Sequence, residues 1–229
     1  MLNGIYQSGT GLESLNKLQE TIANNLANVS TTGFKQQMIQ VSRDASGRLV
    51  TQTHLDMQSG PVQITNEPAN LSAGQDQLFE VATPQGPAYT RNGNFSLDQN
   101  GRLLSAGQWP VQGENGDIVL SRSTFTVSQN GDILVQGEVA DRIKLVRSDR
   151  ALVSQGNGLF QSADGSRLEA LPAGEGQVMQ GTLEGSNVNP TQSMVDMIAV
   201  VRLYEANQKA MQSQDETLKE AVTTLGRTA

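Results

Sequence analysis

The residues that could support acid–base or metal chemistry are few in this chain. Its 229 residues include one histidine, His54, and no cysteine. A cysteine nucleophile and a thiolate zinc site are therefore excluded. His54 lies in a polar stretch without a neighbouring pattern of acid and nucleophile, which is typical of a solvated residue rather than of a general base.

The glycine-containing motifs do not complete a ligand site either. The stretch from Asp98 to Gly101 resembles part of a calcium-binding loop, but the other ligands of such a loop are missing. The sequence contains no phosphate-binding glycine pattern, and Gly156 to Gly158 is typical of a turn. We therefore expect no catalytic residue, no metal and no cofactor, and a protein that is not an enzyme.

Charge and hydropathy disfavour two classes of partner. The formal net charge is −7 at pH 7, which disfavours binding to nucleic acid or to an anionic membrane surface. No stretch approaches the ~20 apolar residues needed for membrane insertion. The first residues lack the basic region and apolar run of a secretory signal, so we expect either a cytosolic protein or export without a cleaved signal peptide.

The N-terminal segment has the periodicity of a helix with a narrow apolar stripe. Positions spaced alternately by three and four residues run from Ile5 to Val29, and six of the eight are apolar. This spacing is typical of a coiled-coil seam. The apolar seam positions, predicted to contact other helices, are Ile5, Leu12, Leu15, Ile22, Leu26 and Val29. Ser30 to Gly33 is expected to end the helix, with Gly33 in the left-handed conformation.

The C-terminal segment predicts a second, longer helix. Asn189 is a good N-cap, Pro190 suits the first helical position, and Gln192 occupies the capping-box position. An uninterrupted helix from Pro190 would be roughly 55 Å long. Its apolar seam positions are Met197, Val201, Tyr204, Met211, Leu218, Val222 and Leu225.

The centre of the chain predicts β-structure. Short alternating apolar and polar runs cover about 75–180, separated by Asn-Gly or Asp-Gly pairs that begin at residues 92, 100, 115, 130 and 164. Such pairs are typical of two-residue hairpin turns. Residues 35–74 are weakly patterned and predict an extended linker with one or two strands. The expected fold is α+β, with long terminal helices packed as a coiled-coil-like pair and a central antiparallel all-β domain. The expected divisions are 1–34, 35–74, 75–180 and 181–229.

Two long helices packed on each other alone are marginally stable, because the entropy of ordering them offsets most of the gain from burying a narrow seam. Like chains packed alongside would supply the missing contacts. The sequence therefore favours a structural subunit that assembles through its ends. Two alternatives from other classes stay open: a secreted binding module with a helical stalk, and a glycoside hydrolase with paired carboxylates, which lacks any supporting motif.

Three motifs of the chain resemble those of bacterial flagellar axial proteins of the rod and hook. They run from Ile22 to Lys35, from Ala88 to Leu103 and from Gly181 to Gln208, in the family order and over most of the chain. The matching residues are Asn24, Asn25, Leu26, Ala27, Asn28, Gly33, Phe34, Thr90, Arg91, Gly93, Phe95, Gly185, Ser186, Asn187 and Val188.

The resemblance implies a structural subunit of the flagellar rod, the drive shaft that crosses the periplasm as part of the basal body. It implies that the terminal helices form an inner tube and that the β domain lies outside it. The implied partners are other rod subunits, copies of the chain itself and the flagellar type III export apparatus, which passes such proteins without a cleaved signal peptide. A short linker favours the proximal-rod member. Gly74 to Val81 departs from the Gly-Phe-Phe-like stretch usual in rod proteins and leaves that subtype open, with a distal-rod or hook-type subunit as the alternative.

Overall fold

The computed structural model of the chain describes residues 2–44, 49–121, 124–147 and 149–226, without the side chains of 2–7, 218, 221, 222 and 224–226. Two helices, α1 (Leu2–Ala27) and α2 (Pro190–Gly226), flank the strands along the sequence. The described strands are β1 (Gln37–Arg43), β2 (Leu49–Leu55), β3 (Val62–Ile64), β4 (Leu71–Ala73), β5 (Gln77–Thr83), β6 (Gly86–Thr90), β7 (Ser96–Leu97), β8 (Leu103–Leu104), β9 (Gln112–Gly113), β10 (Gly116–Asp117), β11 (Thr126–Val127), β12 (Asp132–Val135), β13 (Glu138–Arg142), β14 (Leu145–Arg147), β15 (Leu152–Gly156), β16 (Leu159–Ser162), β17 (Val178–Gln180) and β18 (Thr182–Glu184).

The chain forms two compact units. The helical unit takes its described residues from 1–27, 37–53 and 189–229, and the central unit from 28–36 and 54–188. In the helical unit α1 packs against α2 and also contacts β1, which pairs with β2. The amide of Asn207 donates to the backbone oxygen of Ser8 over 3.3 Å, which joins the two helices directly. The predicted pairing of the terminal helices is confirmed.

Both helix boundaries have local causes. Asn189 caps α2, because its side-chain oxygen accepts from the backbone N–H of Gln192 at 3.1 Å, so the predicted start at Pro190 is confirmed. The capping box is not completed, since the Gln192 amide donates to Asp196 instead. Helix α1 ends at Ala27, two residues before the predicted seam position Val29, and a turn closed from Thr31 N–H to Asn28 oxygen follows.

The central unit is built on an antiparallel sheet of five strands in the order β14-β5-β6-β16-β15, together with small antiparallel ribbons. Its main core is formed by side chains with little or no exposure, among them Leu71, Phe79, Leu103, Ile118 and Ile133. Phe79 and Phe95 meet edge to face with ring centroids 5.1 Å apart. The predicted central antiparallel β domain is confirmed.

The predicted two-residue turns are wrong, although the turns themselves lie near the expected places. In none of the five pairs does the described Asn or Asp have a positive φ. Gly101, Gly131 and Gly165 instead close four-residue turns by donating to the residue three before. Two-residue turns with both φ values positive occur at Gln136–Gly137 and Asn157–Gly158.

The described residues of 35–74 form four strands, more than the one or two predicted. Strand β3 pairs with β18 and β4 pairs with β17, each antiparallel. The pairing partners lie more than 100 residues further along the chain, so no local pattern in a single sequence could indicate them. These ribbons connect residues on both sides of the predicted divisions at 74 and 180.

Candidate functional site

The helix face of α2 that is covered within the chain follows a spacing of four and three residues. Ser193 and Val200 are buried, and Met197, Tyr204 and Met211 are half-buried. The predicted seam included the last three but passed through Val201 rather than Val200. The covered face therefore lies about one position from the predicted one in the middle of the helix.

The seam positions of α1 are covered to different degrees. Ile22 is buried, Leu12, Leu15 and Leu26 are half-buried, and Val29 is half-buried in the turn after the helix. Four predicted seam side chains lie outside the part of the chain that the structure describes, namely Ile5, Leu218, Val222 and Leu225.

A second apolar surface lies on the first turns of α2. Met194, Val195, Ile198 and Val201 have exposed fractions of 53%, 56%, 55% and 37%. Residues 194, 198 and 201 are spaced as neighbours on one helix face, and Val195 lies beside them. We call these four residues the exposed apolar stripe. A contiguous exposed apolar surface of this kind is typical of a contact with another protein.

The first motif holds the hairpin of the helical unit on α1. Asn25 is buried, and its amide donates to the Gln37 backbone oxygen at 2.8 Å while its oxygen accepts from the Gln37 N–H at 2.9 Å. The two bonds anchor the first residue of β1 on the last turn of the helix. Asn28 accepts from the Thr31 hydroxyl at 3.0 Å and so shapes the turn that follows.

The three motifs meet inside the central unit at Glu184. One carboxylate oxygen accepts from Lys35 Nζ at 2.7 Å and from the Gly60 N–H at 2.9 Å, and the other accepts from the guanidinium of Arg91. Lys35, Arg91 and Glu184 are exposed by no more than 2%. We call these three residues the Glu184 cluster.

The two cations also donate to backbone oxygens, and Arg91 donates to the Ser59 hydroxyl at 3.3 Å as well. Lys35 donates to Gln58 at 2.6 Å, and Arg91 donates to Gly74 at 2.6 Å and to Gln77. One end of the guanidinium thus holds the segment before β5, while the other holds the end of β18. Because long buried cations need such partners, the cluster fixes the backbone of several segments at once.

The cluster contains two cations and one anion. Burial lowers the pKa of Lys35, and the hydrogen bond and charge of Glu184 oppose that change. The charge of the nearby Asp56 also raises the pKa of Lys35, but by less than Glu184 does. Glu184 is therefore the main carboxylate that compensates the charge of Lys35.

Two motif glycines allow backbones to approach closely around the cluster. Gly33 has a φ of 66°, and a Cβ there would come within 2.5 Å of the Arg91 backbone. A Cβ on Gly93 would come within 1.6 Å of the Leu71 oxygen. The positive φ predicted for Gly33 is confirmed, but it serves this close approach rather than the helix end.

The third motif is held by Asn187. Its amide donates to the backbone oxygens of Asp56 and Gln58, and its oxygen accepts from the Gln36 N–H at 2.7 Å. The backbone N–H of Gly33 also donates to the backbone oxygen of Glu184 at 2.7 Å. These bonds, together with those of the Glu184 cluster, hold three segments to one another, namely 33–36, 56–61 and 184–187.

Other motif residues have clear structural roles. Thr90 donates to the Gly158 oxygen at 2.8 Å, Phe95 lies in the main core, and Val188 is buried. Ser186 accepts from the Val188 N–H, and the Gly185 N–H donates to Pro61. Asn24 and Ala27 are exposed on α1, and Phe34 is half-buried.

The residues considered for chemistry are not assembled into a site. His54 is exposed in β2. The Asp98 carboxylate accepts from the backbone of Asn100 and Arg102 and from the Arg102 side chain, and these bonds lower its pKa. Its oxygens therefore stabilise their own turn. Among the described residues, no group of three or more potential metal ligands comes together, and neither described helix is long and apolar enough to span a bilayer.

The sequence did not indicate the importance of Lys35 and Glu184. Both lie within the recognised motifs, but they are 149 residues apart. A single sequence contains no local signal for such a pair, and charged residues are ordinarily expected at the surface.

Three models of protein families match the chain. The model described as flagella basal body rod protein matches residues 5–35, the flagellar hook protein FlgE/F/G D1 domain matches 74–135, and the flagellar basal body rod FlgEFG protein C-terminal matches 179–224. The first and last of these cover most of α1 and most of α2, and the second covers the segment that contains Arg91.

Full-length relatives agree with these matches. A flagellar basal-body rod protein FlgG of Buchnera aphidicola is 30% identical over 96% of this chain and 98% of the relative. The flagellar basal-body rod proteins FlgF of Escherichia coli and Salmonella typhimurium are each 35% identical over 94% of this chain and 95% of the relative. The chain has the fold and motifs of an axial structural protein rather than of an enzyme. It belongs to the flagellar basal-body rod FlgE/F/G family and is a structural subunit of the rod, which assembles with other rod subunits.

Proposed function

We propose that the chain polymerises through its terminal helices, with the exposed apolar stripe of α2 packed against a neighbouring rod subunit. The observation that carries the proposal is that Met194, Val195, Ile198 and Val201 stay exposed on a helix that already packs against α1. Burying these side chains at a subunit contact would stabilise assembly, because each removes apolar surface from water. The predicted seam residues are proposed to contribute to the same helical layer.

The experiment replaces Val201 with Asp and measures rod assembly and motility. Val201 is exposed by 37%, so the substitution should leave the isolated chain folded. In an assembled apolar contact the same charge would cost several kcal/mol. Val139→Asp is the matched control, because Val139 is 62% exposed on β13 of the central unit. Loss of assembly for Val201→Asp alone would support the proposal, and normal swimming of that variant would overturn it.

A cysteine at the stripe gives a direct measurement of the contact. Since the chain has no cysteine, Ile198→Cys introduces a unique thiol. A bifunctional thiol–amine cross-linker should join it to a neighbouring subunit in isolated basal bodies, but not in the dilute monomer. A cysteine that remains uncross-linked in intact basal bodies would show that the stripe faces away from other subunits.

We also propose the proximal rod as the position of the chain and the flagellar type III apparatus as its export route. The short 35–74 segment supports the first proposal. The export route rests on the family resemblance. Fractionation of a strain without type III export should find the intact chain in the cytoplasm.

A further inference from the structure

One cleft of the central unit is lined without a charged side chain. It has a volume of about 330 Å³ and lies over the paired strands β6 and β16. By contrast, the cleft beside α1 is lined by Glu13, Lys17 and Glu20, and another cleft of the central unit by Arg147 and Glu175. In a chain with 39 charged residues, the composition of the first cleft sets it apart.

Part of the lining of the cleft is aromatic and aliphatic. It includes Ala88, Leu159 and Trp109, the single tryptophan of the chain, all of which pack against the main core. Trp109 is only partly buried. The Trp109 backbone oxygen accepts from the Ser105 N–H at 2.9 Å, and the Trp109 N–H donates to the Ser105 hydroxyl at 3.3 Å, so the backbone that carries the indole is held in place.

Four amide side chains also line the cleft. Gln155 donates to Gln161 at 3.0 Å, which leaves the second oxygen and the second amino group of this pair available. Gln85 and Asn157 also line the cleft, and their side chains make no hydrogen bond with the residues that the structure describes. Asn157 is fixed by the two-residue turn between β15 and β16, where its φ is 53°.

These groups match the chemistry of a sugar. Each amide both donates and accepts, as a hydroxyl or acetamido group does, so a row of amides can bind several such groups without a net charge. The face of an indole packs against the apolar face of a sugar ring. An ionic ligand would find no counter-charge here and would lose its hydration. The volume is near the lower end of ordinary ligand sites, which are roughly 300–1,000 Å³.

We propose that this cleft binds a short segment of a neutral oligosaccharide, with Trp109 beneath a sugar ring and Gln85, Gln155, Asn157 and Gln161 bonded to its polar groups. All residues that line the cleft belong to the central unit, whereas the surfaces proposed for assembly belong to the helices.

The test uses the full chain and the fluorescence of Trp109. Because the chain has a single tryptophan, the signal comes from this residue alone. The probes are a β-1,4-linked tetramer of N-acetylglucosamine, maltotetraose as a neutral hexose chain, and tetragalacturonate as an anionic chain. We expect a saturable change with at least one neutral probe at dissociation constants of about 0.1–1 mM, and no saturation with the anionic one. Absence of saturation with both neutral probes up to about 10 mM, or preference for the anionic probe, would overturn the proposal.

Variants locate the binding. Gln161→Ala and Gln85→Ala should each weaken binding roughly three- to tenfold, the loss of one or two hydrogen bonds. Gln85 is exposed in a turn, so its replacement keeps the test valid if Gln161→Ala fails to fold. Gln99→Ala, an exposed glutamine of a turn outside the cleft, is the matched control and should leave the affinity unchanged. Equal affinities of the wild type and both cleft variants would show that the sugar binds elsewhere.

Discussion

Replacement of Glu184 by Gln exchanges one carboxylate oxygen for an amino group. It thereby removes the only negative charge of the Glu184 cluster. The side-chain volume is nearly kept, so packing is not the main variable. Lys35 and Arg91 remain buried, each exposed by no more than 2%, and their charges then face each other without a carboxylate between them. The amide also presents a donor where Glu184 offered an acceptor.

The expected loss in the free energy of unfolding is about 3–5 kcal/mol, the usual cost of leaving a buried charge without its partner. Two cations share the carboxylate here, so the upper part of that range applies. With an m-value of about 2 kcal/mol/M, the urea midpoint should fall by roughly 1.5–2.5 M. Trp109 lies in the central unit, and its fluorescence therefore reports the unfolding of the unit that contains the cluster.

Lys35→Met is the matched control, because it removes the surplus cation and leaves Arg91 paired with Glu184. It loses the bonds to Gln58 and Glu184 but also the cost of burying an ammonium group. We expect a loss below about 2 kcal/mol. If Glu184→Gln were as mild as Lys35→Met, or if both fell within about 1 kcal/mol of the wild type, the electrostatic account of the cluster would be wrong.

Three further predictions concern pH, proteolysis and the chain ends. Because burial lowers the pKa of Lys35 below its usual 10.5, the unfolded chain binds more protons just beneath that pH, so wild-type stability should rise with pH there; urea titrations of Lys35→Met should lack this rise. Limited proteolysis of the dilute monomer should trim both ends and leave a resistant fragment of about 28–188, because the bonds at Gly33 and Asn187 hold the two ends of the central unit; mass spectrometry gives the limits of the fragment, and resistance of both ends to digestion would contradict the need for neighbouring subunits. Deletion of residues 1–30 should leave protein in the cytoplasm, because the family resemblance places export information near the N-terminus, whereas deletion of 190–229 should allow export but not assembly; a complete rod built from the second variant would refute the proposal that both terminal helices are needed for assembly.

The helices were predictable because their signals are local. Asn189 and Pro190 start α2 where the sequence places the cap, and an apolar period of three and four residues is visible without any partner. The offset between the predicted position Val201 and the covered position Val200 has a physical cause. Both valines are apolar neighbours, and the period alone cannot say which of two adjacent stripes is covered within the chain and which stays exposed.

The antiparallel β-structure of the central unit was predictable from the sequence, but the pairing of its distant segments was not. Asn-Gly pairs indicated turns, yet the two-residue turns with positive φ values lie at Gln136–Gly137 and Asn157–Gly158. The pairings of β3 with β18 and of Lys35 with Glu184 join segments far apart in sequence. Only the folded chain shows that the three motifs are parts of one buried cluster.

Lys35 and Glu184 are 149 residues apart, and this separation also determines when the central unit of a newly emerging chain can fold. A chain that emerges amino end first, from a ribosome or a narrow channel, presents Lys35 and Arg91 well before their carboxylate. Until residue 184 of 229 has emerged, both cations remain hydrated, because burying them without an acceptor is costly. Contacts of such long range also form slowly. A chain that has emerged only in part therefore cannot complete the central unit, because the Glu184 carboxylate is not yet present. Helix α2 begins at Pro190, shortly after this residue in the sequence.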